Sequence, residues 1–330
     1  MDKIFVTAPA RLHFGFMNLD EKHERKYGSV GMTIDSIGYT IELNVNYSSK
    51  QQVECSNNKA ATFAKIILDT FKIDKNIRIN ILESIPSHSG LGSGTQLALA
   101  IGLAIAKMFN LDCTTSDIAK ILHRGNRSGI GIGSFNRGGF LVDSGKSSSI
   151  EPPVITSRID FPSNWRIILL MKDSSKGMHG KDEKAAFDEI DNINRFQRDR
   201  DNNLCSLVMM SLLPSLITKD FEGFSRSILR LQRATGMHFS KFQDGIFYDK
   251  DISKIIDFVN SKGFYATGQT SWGPTGFIIT DSETSAHKLS RDIKEIFNFN
   301  DIFIKIVGGL NSGAVFSDKN NIKIKRINYE

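Results

Sequence analysis

The sequence predicts an α+β protein in which strands and helices pack as two layers. Segments with alternating apolar and polar residues, such as Ile77 to Ile85, are interspersed with helical segments along all 330 residues. The connections are long, and the order of elements does not follow a regular strand-helix-strand series. The composition is that of a globular chain, since 40% of the residues are hydrophobic and 24% are charged. Its length suits one large domain or two ordinary ones, and we expect a boundary or crossover at Lys146 to Pro153.

In the first half of the chain, apolar periodicity predicts strands at Ile4 to Thr7, Leu12 to Met17, Gly38 to Tyr47 and Ile77 to Glu83, with a turn at Pro9 and a glycine-rich connection from Tyr27 to Gly31. It predicts helices at Asn58 to Phe71, Leu97 to Leu111 and Thr115 to Asn126. Side chains repeat every two residues along a strand, so Arg11 and His13 share a face. This pair indicates an anion site, or else two surface residues without a function.

In the second half, the pattern predicts a strand from Gly138-Gly139 to Val142, a buried strand at Trp165 to Met171, a helix at Lys181 to Ile190 and two helices within Asn203 to Thr235, the first ended or kinked by Pro214. A helix at Asp251 to Asn260, a strand at Gly263 to Thr267, a helix at Glu283 to Phe297, a strand at Ile302 to Val307 and a short final strand complete the chain.

The stretch Pro86 to Gln96, PSHSGLGSGTQ, joins a strand to a helix that is apolar on every face. Such a turn exposes backbone N–H groups at the positive end of a helix dipole, and glycine lets an anion approach them closely. Ser93 and Thr95 add hydroxyl donors, and Thr95 is a possible helix cap. The segment therefore predicts a phosphate site. The alternative is a tight turn with no ligand.

The charge and cysteine content limit the partners. The net charge of +6 comes from scattered lysines and arginines, which suits a phosphorylated small substrate better than nucleic acid. The three cysteines, Cys55, Cys113 and Cys205, match no zinc or disulfide spacing. The N-terminal residues lack signal-peptide architecture, and the apolar helix is short for a membrane span and carries Lys107. We expect a cytoplasmic protein that binds no nucleic acid and no membrane.

Two further segments are rich in glycine, Arg127 to Asp143 and Gly268 to Phe277. The glycines of the first suggest a loop that lies against a ligand or another backbone. In the second, a Gly-Pro turn exposes Ser271 and Trp272. Elsewhere His179 and Glu183 stand where a strand meets a helix, which makes them candidates for substrate contact or members of a solvated loop.

The three segments PSHSGLGSGTQ, SGIGIGSFNRGGF and GQTSWGPTGF resemble the three motifs of the GHMP small-molecule kinase superfamily. The resemblance implies an N-terminal domain of ribosomal-S5 type with a left-handed βαβ crossover, here residues 1–150, and a ferredoxin-like C-terminal domain, here residues 151–330. Two departures argue against ordinary kinase chemistry. The first motif ends GSGTQ where these kinases usually carry GSSAA, and the region from Ile130 to Gly133 lacks the aspartate that many of them use as base.

Within that superfamily, the strings RLHFGF, HSGLGSGTQ, RGxRSGIGIGSF, MHGKDEKAAF and TGQTSWGPTGF resemble the β-ribofuranosylaminobenzene 5′-phosphate synthases of methanopterin biosynthesis. The resemblance implies a glycosyltransferase that joins phosphoribosyl pyrophosphate to 4-aminobenzoate or 4-hydroxybenzoate and releases pyrophosphate and CO2. It implies Mg2+, no organic cofactor, and a homodimer.

The resemblance also suggests roles for residues. Ser89, Gly90, Gly92, Ser93, Gly94, Thr95, Arg127 and Ser128 are expected to bind pyrophosphate or the 5′-phosphate. Arg11, His13, His179 and Glu183 are the candidate catalytic residues, and Ser271 and Trp272 are the candidate substrate contacts. Metal ligands stay open, with Asp143, Glu183 and Asp244 as possibilities. The alternatives are an ATP-dependent kinase of the superfamily and a nucleotide-responsive binding protein, while a nucleic-acid module is more distant.

Overall fold

Two β-sheets organise the part of the chain that the computed structural model describes, which is residues 2–18, 24–47, 51–147, 151–172, 204–243, 245–263, 266–271, 273–297, 299 and 301–318. The strands are β1 (Lys3–Asn18), β2 (Tyr27–Val45), β3 (Val53–Glu54), β4 (Ile77–Glu83), β5 (Phe140–Asp143), β6 (Ile155–Ile159), β7 (Arg166–Lys172), β8 (Thr267–Gln269), β9 (Gly276–Thr280), β10 (Ile302–Gly308) and β11 (Val315–Ser317).

Most of the predicted helices are present with some changes in length, while the helix at Ile130–Asn136 forms where a loop was predicted. They are α1 (Asn58–Thr70), α2 (Ser93–Met108), α3 (Thr115–Ile121), α4 (Ile130–Asn136), α5 (Leu204–Leu207), α6 (Leu213–Thr218), α7 (Phe221–Gln243), α8 (Lys250–Ser261) and α9 (Glu283–Ile296). Helix α3 is shorter than predicted, although Thr114 caps it through a capping box with Asp117. The helix predicted at Lys181 to Ile190 lies outside the described residues. Among the described residues, no helix is both long enough and apolar enough to cross a bilayer.

The larger sheet has seven strands in the described part of the chain, in the order β11-β1-β2-β4-β3, with β5 paired to both β2 and β6. Strands β3 and β4 run parallel with α1 between them, and the other pairs are antiparallel. Two of the strands, β6 and β11, come from beyond residue 150. The division into domains at that residue stays a prediction.

The long strand β1 replaces the two predicted strands. A shift of register between Pro9 and Arg11 takes up the proline, which cannot donate a ladder hydrogen bond, without breaking the strand. A second shift follows between His13 and Gly15. Regular pairing between the two shifts keeps Arg11 and His13 on one face, as predicted. Strand β2 likewise begins at Tyr27, so the predicted glycine-rich connection is strand.

The four-stranded sheet has the order β10-β7-β9-β8 and is antiparallel throughout. Its chain order is strand, helices, two strands joined by a hairpin, helix and strand, which is the ferredoxin-like connectivity. The predicted strand at Gly263 to Thr267 begins at Thr267 instead, since the preceding described residues carry no strand.

Pro214 lies inside a helical segment and does not end it. One π turn at Val208–Leu212 links α5 to α6, and Leu213 donates its N–H to the Val208 carbonyl oxygen across five residues. Proline has no N–H to give, so a local change from α to π hydrogen bonding accommodates it at the start of α6. The helical segment then continues to Thr218, so of the two predicted alternatives, an end or a kink at Pro214, the end is wrong.

Helix α2 is the centre of the main hydrophobic core. Its residues from Gln96 to Ala106 are all buried, which confirms the expectation of a helix wrapped on every side. The core extends from β1 and β2 through α2 to the aromatic cluster around Trp165 and Phe224, whose rings lie 5.0 Å apart. A second cluster packs α8 and α9 against the four-stranded sheet.

Candidate active site

The loop before α2 packs directly against β1. Arg11 donates its backbone N–H to the Leu91 carbonyl oxygen at 3.1 Å, and its Nη1 donates to the Gly90 carbonyl oxygen. A Cβ added at Gly92 would lie 3.0 Å from Cγ of Arg11, and Gly92 has a φ of +85°. The loop therefore needs glycine at this position both for its backbone and for the arginine that lies across it.

The third glycine-rich segment closes on the same loop. Thr270 donates its hydroxyl to the Gly90 carbonyl oxygen at 2.9 Å and accepts the backbone N–H of His13 at 2.9 Å. A Cβ added at Gly90, whose φ is +78°, would lie 2.3 Å from the Thr270 carbonyl oxygen. A Cβ at Gly273 would lie 2.5 Å from the Gly90 Cα. Backbone thus meets backbone without room for a side chain.

Helix α2 begins with no side-chain cap. Its N-cap is Gly92, and Thr95, predicted as a cap, lies within the first turn. The prediction for Thr95 as a cap is wrong because the left-handed glycine starts the helix three residues earlier. Gly92, Ser93, Gly94 and Thr95 are half-buried, and the first-turn amides lie at the positive end of the helix dipole.

Arg124 lies beside that helix start. Its Nη1 is 3.7 Å from the position of a Cβ added at Gly94, and its guanidinium carbon stands 5.0 Å from the centre of the Phe63 ring. Its buried Nε has no hydrogen-bond partner among the described residues. Burial lowers the pKa of this arginine from its usual value, yet an arginine remains charged at neutral pH. Arg124 and Arg11 bring positive charge to the amides of α2.

The second glycine-rich segment packs against α2 from another side and forms the helix α4 over part of the predicted loop. Gln96 donates its Nε2 to the Gly131 carbonyl oxygen at 2.8 Å. A Cβ at Gly131 would lie 2.9 Å from Cγ2 of Thr95. Gly131 therefore lies against another segment of the chain, which is close to one of the two arrangements predicted for these glycines, contact with a ligand or with another backbone. The departure GTQ from the kinase motif thus has a packing role.

Ser128, which the sequence predicts to bind phosphate, is hydrogen-bonded to a buried carboxylate. Its hydroxyl lies 3.3 Å from Oδ2 of Asp143 and 2.6 Å from the Ser29 hydroxyl, and it accepts the Ile130 N–H at 3.1 Å. Arg127, also predicted for phosphate, is half-buried one residue earlier. Ser89, the remaining loop residue of that prediction, is buried and donates its hydroxyl to the Pro86 carbonyl oxygen at 2.8 Å.

Asp143 does not fit a magnesium site. Both of its oxygens accept hydrogen bonds, from the Ser29 hydroxyl and from the backbone N–H groups of Ser29, Gly129 and Gly145. Burial raises the pKa of Asp143 while these donors oppose the rise. Over the described ranges, no three His, Cys, Asp or Glu residues lie together as metal ligands.

A cavity opens on the His13 side of β1. About 340 Å³ lies between its walls and the open solvent, and only a small part of that space is enclosed. Aromatic and aliphatic side chains form much of its wall, and the polar lining comes from β1, α7 and the third glycine-rich segment. The residues are His13, Phe14, Gly15, Phe16, Gln232, Thr235, Gly236, Phe239, Ile246, Gln269 and Ser271.

His13 is neutral in this cavity. Burial, together with the positive charge of Arg11, lowers its pKa to about 3. Its Nδ1 accepts the backbone N–H of Gly15 at 3.3 Å, so the neutral ring carries its proton on Nε2. The Phe16 ring lies 4.8 Å from the imidazole. Ser271, a predicted substrate contact, is half-buried at the cavity wall and donates its N–H to the His13 carbonyl oxygen at 3.1 Å.

Three glutamine side chains brace the cavity. Gln232 donates to the Phe14 carbonyl oxygen at 2.6 Å and accepts the Gln269 N–H at 2.9 Å. Gln269 in turn donates to Oε1 of Gln243 and accepts the Tyr248 N–H at 2.7 Å. Buried amides with this many partners hold β1, α7 and β8 at fixed distances.

The structure brings some of the predicted site residues together and adds others that the sequence did not indicate. Arg11, His13, the loop residues and Ser271 are joined by direct contacts, as the motifs suggested. His179, Glu183, Trp272 and Asp244 lie outside the described residues. Arg124, Thr235 and the glutamines were missed. The string RGxRSG could have drawn attention to Arg124, whereas polar residues on an amphipathic helix carry no comparable signal.

A model of the GHMP kinases N terminal domain matches residues 58–138, which include the loop, α2 and α4. This part of the chain is therefore similar to the N-terminal domain of the GHMP kinases. Over the whole chain, mevalonate diphosphate decarboxylase from Staphylococcus aureus has the same fold, with a TM-score of 0.66 and 14% identity over 96% of this chain and 98% of that one. The expected fold class, with its ferredoxin-like second part, is confirmed.

Two archaeal relatives match along nearly their entire length, and both are named β-ribofuranosylphenol 5′-phosphate synthase. The protein from Methanothermobacter thermautotrophicus is 28% identical over 94% of this chain and 98% of its own. That from Methanocaldococcus jannaschii is 29% identical over 97% of this chain and 98% of its own. The predicted resemblance to this group of synthases is confirmed, with phenol where the expectation had aminobenzene.

Proposed function

We propose that this protein is a glycosyltransferase that joins phosphoribosyl pyrophosphate to 4-hydroxybenzoate or 4-aminobenzoate, with loss of pyrophosphate and CO2. The product is a C-riboside 5′-phosphate, an intermediate of methanopterin biosynthesis. The names of the archaeal relatives support the phenol product, and hence 4-hydroxybenzoate as the first acceptor to test.

One observation carries the proposal: an uncapped helix start flanked by two arginines shares the strand β1 with a neutral, aromatic cavity. The helix start offers backbone N–H groups and positive charge, which suit a departing pyrophosphate. The cavity offers rings and a neutral imidazole, which suit a benzene ring. Arg11 and His13, two residues apart on β1, connect the two parts.

The proposed reaction balances without a protein base. The bond between C1 of the ribose and the pyrophosphate oxygen breaks, and its electron pair leaves with pyrophosphate. The ring carbon that bears the carboxylate then bonds to C1. Loss of CO2 returns the electron pair of the carbon–carboxylate bond to the ring and restores aromaticity. The lack of an acid between Ile130 and Gly133 is compatible with this chemistry.

Magnesium enters the proposal with the substrate. Mg2+ in phosphate chemistry is commonly held by substrate phosphates and water with few protein carboxylates. The described residues do not form a protein site for it, so no step is assigned to the ion. The protein's own contribution is orientation of the pyrophosphate by the loop amides of Gly92 to Thr95, together with Arg11 and Arg124.

We also propose that the enzyme is a homodimer, as its resemblance to the GHMP kinase superfamily suggests, and that it works in the cytoplasm, as the lack of a disulfide spacing among its three cysteines suggests. Sedimentation equilibrium of the purified protein should give twice the mass of one chain. A particle with the mass of a single chain at micromolar concentration would contradict this part of the proposal.

The test is release of labelled CO2 from carboxyl-labelled 4-hydroxybenzoate and 4-aminobenzoate, with phosphoribosyl pyrophosphate and Mg2+. We expect release that requires phosphoribosyl pyrophosphate and is lost in Gly92→Asp, whose side chain would meet Arg11. Circular dichroism checks that the variant is folded. Folded wild-type protein that releases no CO2 from either acid would refute the reaction, and ADP formation with ATP would then point to a kinase.

A further inference from the structure

We propose that Thr235 binds the 4-substituent of the benzoate acceptor and so sets the specificity of the cavity. This inference rests on the proposed function, because it names the residue that recognises the acceptor of that reaction. It concerns a side chain on α7, far in sequence from the glycine-rich motifs. The cavity wall, the hydrogen bonds of its polar groups and the chemistry of the acceptor each support it.

The Thr235 hydroxyl is buried at the wall of the cavity. Its Oγ1 has no hydrogen-bond partner in the parts of the chain that the structure describes. A Cβ added at Gly15 would lie 2.2 Å from that oxygen, so the hydroxyl approaches the β1 backbone where no side chain intervenes. A buried hydroxyl without a partner costs free energy, which a ligand that supplies the missing hydrogen bond recovers.

The other polar groups of the cavity are largely committed to the protein. Gln232 and Gln269 use both their donor and acceptor atoms on backbone groups and on Gln243. His13 uses Nδ1 on the Gly15 N–H. This leaves the hydroxyls of Thr235 and Ser271, and the Nε2 proton of the neutral His13 ring, as groups that suit a small polar substituent on an aromatic ring, and of the two hydroxyls that of Thr235 is the buried one.

Aromatic side chains give the rest of the cavity its preference for a flat ring. Phe16 and Phe239 lie with their ring centres 6.4 Å apart, and both line the space next to Thr235. None of the described side chains that line it carries a full charge when His13 is neutral. An uncharged hydroxyl or amino group is therefore accepted more readily at this end than a carboxylate.

The hydroxyl also suits the electron flow of the proposed reaction. When C1 of the ribose bonds to the carboxylate-bearing carbon, the substituent on the opposite side of the ring donates electrons and becomes more acidic. An oxygen that accepts its proton in a hydrogen bond stabilises this state without removing the proton. When CO2 leaves, the electrons of the carbon–carboxylate bond return to the ring. The substituent therefore keeps its proton, and the step needs no base from the protein.

The experiment compares Thr235→Val, which removes the hydroxyl at almost constant volume, with Thr235→Ser, which keeps it. The matched control is Ser225→Ala on the same helix, which removes a buried hydroxyl that has no partner among the described residues and lies outside the cavity lining. Calorimetric titration measures the binding of 4-hydroxybenzoate and of unsubstituted benzoate to each protein. Steady-state CO2 release gives KM for 4-hydroxybenzoate and for phosphoribosyl pyrophosphate.

We expect Thr235→Val to bind 4-hydroxybenzoate about threefold to tenfold more weakly, as loss of one neutral hydrogen bond predicts, with benzoate unchanged. Thr235→Ser and Ser225→Ala should stay within about twofold of wild type. A structural effect would weaken both acids alike, and that result would overturn the proposal.

The outcomes also separate this proposal from the reaction itself. If wild-type protein releases CO2 but Thr235→Val keeps the wild-type KM and affinity, the role of Thr235 is refuted and the reaction stands. If the wild type binds 4-hydroxybenzoate through Thr235 but releases no CO2, the reaction is refuted and the binding site stands. Absence of both binding and turnover refutes both.

Discussion

The two parts of the candidate active site, the start of α2 and the cavity beside His13, use different polar groups although β1 contributes to both. At α2 the groups are backbone amides and two guanidinium groups, with Arg124 3.7 Å from a Cβ position at Gly94. In the cavity they are a neutral imidazole, a hydroxyl and braced amides. Positive charge is thus kept on one side of a short stretch of strand.

Under the proposed function, this difference lets one strand contribute to the binding of two ligands of opposite character. Register shifts on both sides of Arg11 and His13 interrupt the ladder of β1 at the site, and such irregularities re-aim side chains. The charge of Arg11 contributes to the low pKa of His13, so the positively charged part helps to keep the cavity neutral. Breaking either part should therefore have a distinct signature.

The largest effect is expected from Gly90→Ala, which tests whether the loop must meet the third glycine-rich segment backbone to backbone. The new Cβ would lie 2.3 Å from the Thr270 carbonyl oxygen at a φ of +78°, so the loop or its neighbour must move. We expect a loss of unfolding free energy of about 1–3 kcal/mol and a fall in CO2 release of roughly 100-fold. Thermal unfolding and the CO2 assay measure these.

Gly94→Ala is the matched stability control for that variant. It lies four residues further on, within α2, and its nearest described atom is 3.7 Å from the added Cβ. Since alanine favours a helix over glycine by about 1 kcal/mol, stability should be unchanged or slightly higher. Equal destabilisation by both substitutions would argue against the backbone contact as the cause.

Much of this fold could be predicted because its signals are local. The apolar run of α2, the alternation in β4 and the Asp117 capping pattern of α3 each follow from neighbouring residues. The predicted break at Pro9 failed because pairing with β2 carries the strand through a register shift. Of the two outcomes predicted at Pro214, an end or a kink, the end is wrong because a π turn accommodates the missing N–H and the helical segment continues. Tertiary context decided both.

Besides the two-residue repeat that places Arg11 and His13 on one face of β1, the site was predictable where glycine marks a close approach. Gly90 and Gly273 appear in the sequence as motif glycines, and the structure brings them together. Thr235 and Arg124 come from segments whose sequence serves helix packing or a loop, and only the fold brings them to the site. No pattern in one sequence states which face of α7 will meet β1.

A second prediction concerns the neutral state of His13. Its pKa is near 3 in the folded protein and about 6.5 in the unfolded chain, so the unfolded chain binds more protons between these values. Stability from this group is fully present above pH 6.5 and is lost as the pH falls toward 3. Between pH 6.5 and pH 5 the loss should be about 2 kcal/mol.

The measurement is urea unfolding of wild type and His13→Gln across that range. Other groups titrate in both proteins, so the difference between their slopes reports His13. We expect the variant to lose less stability than wild type as the pH falls. Parallel curves would contradict a buried, neutral histidine at this position.

The smallest of these effects tests the positively charged part alone. Arg124→Gln removes a charge beside the uncapped start of α2 but keeps a polar side chain, so KM for phosphoribosyl pyrophosphate should rise about tenfold, the effect of losing one charge-assisted contact. KM for 4-hydroxybenzoate should stay within about twofold, because Arg124 does not line the cavity. The control Arg226→Gln removes an exposed arginine paired with Glu222 on α7. Equal increases in both KM values for Arg124→Gln would show that the two parts of the site do not act separately, since a charge at α2 would then govern the acceptor as well.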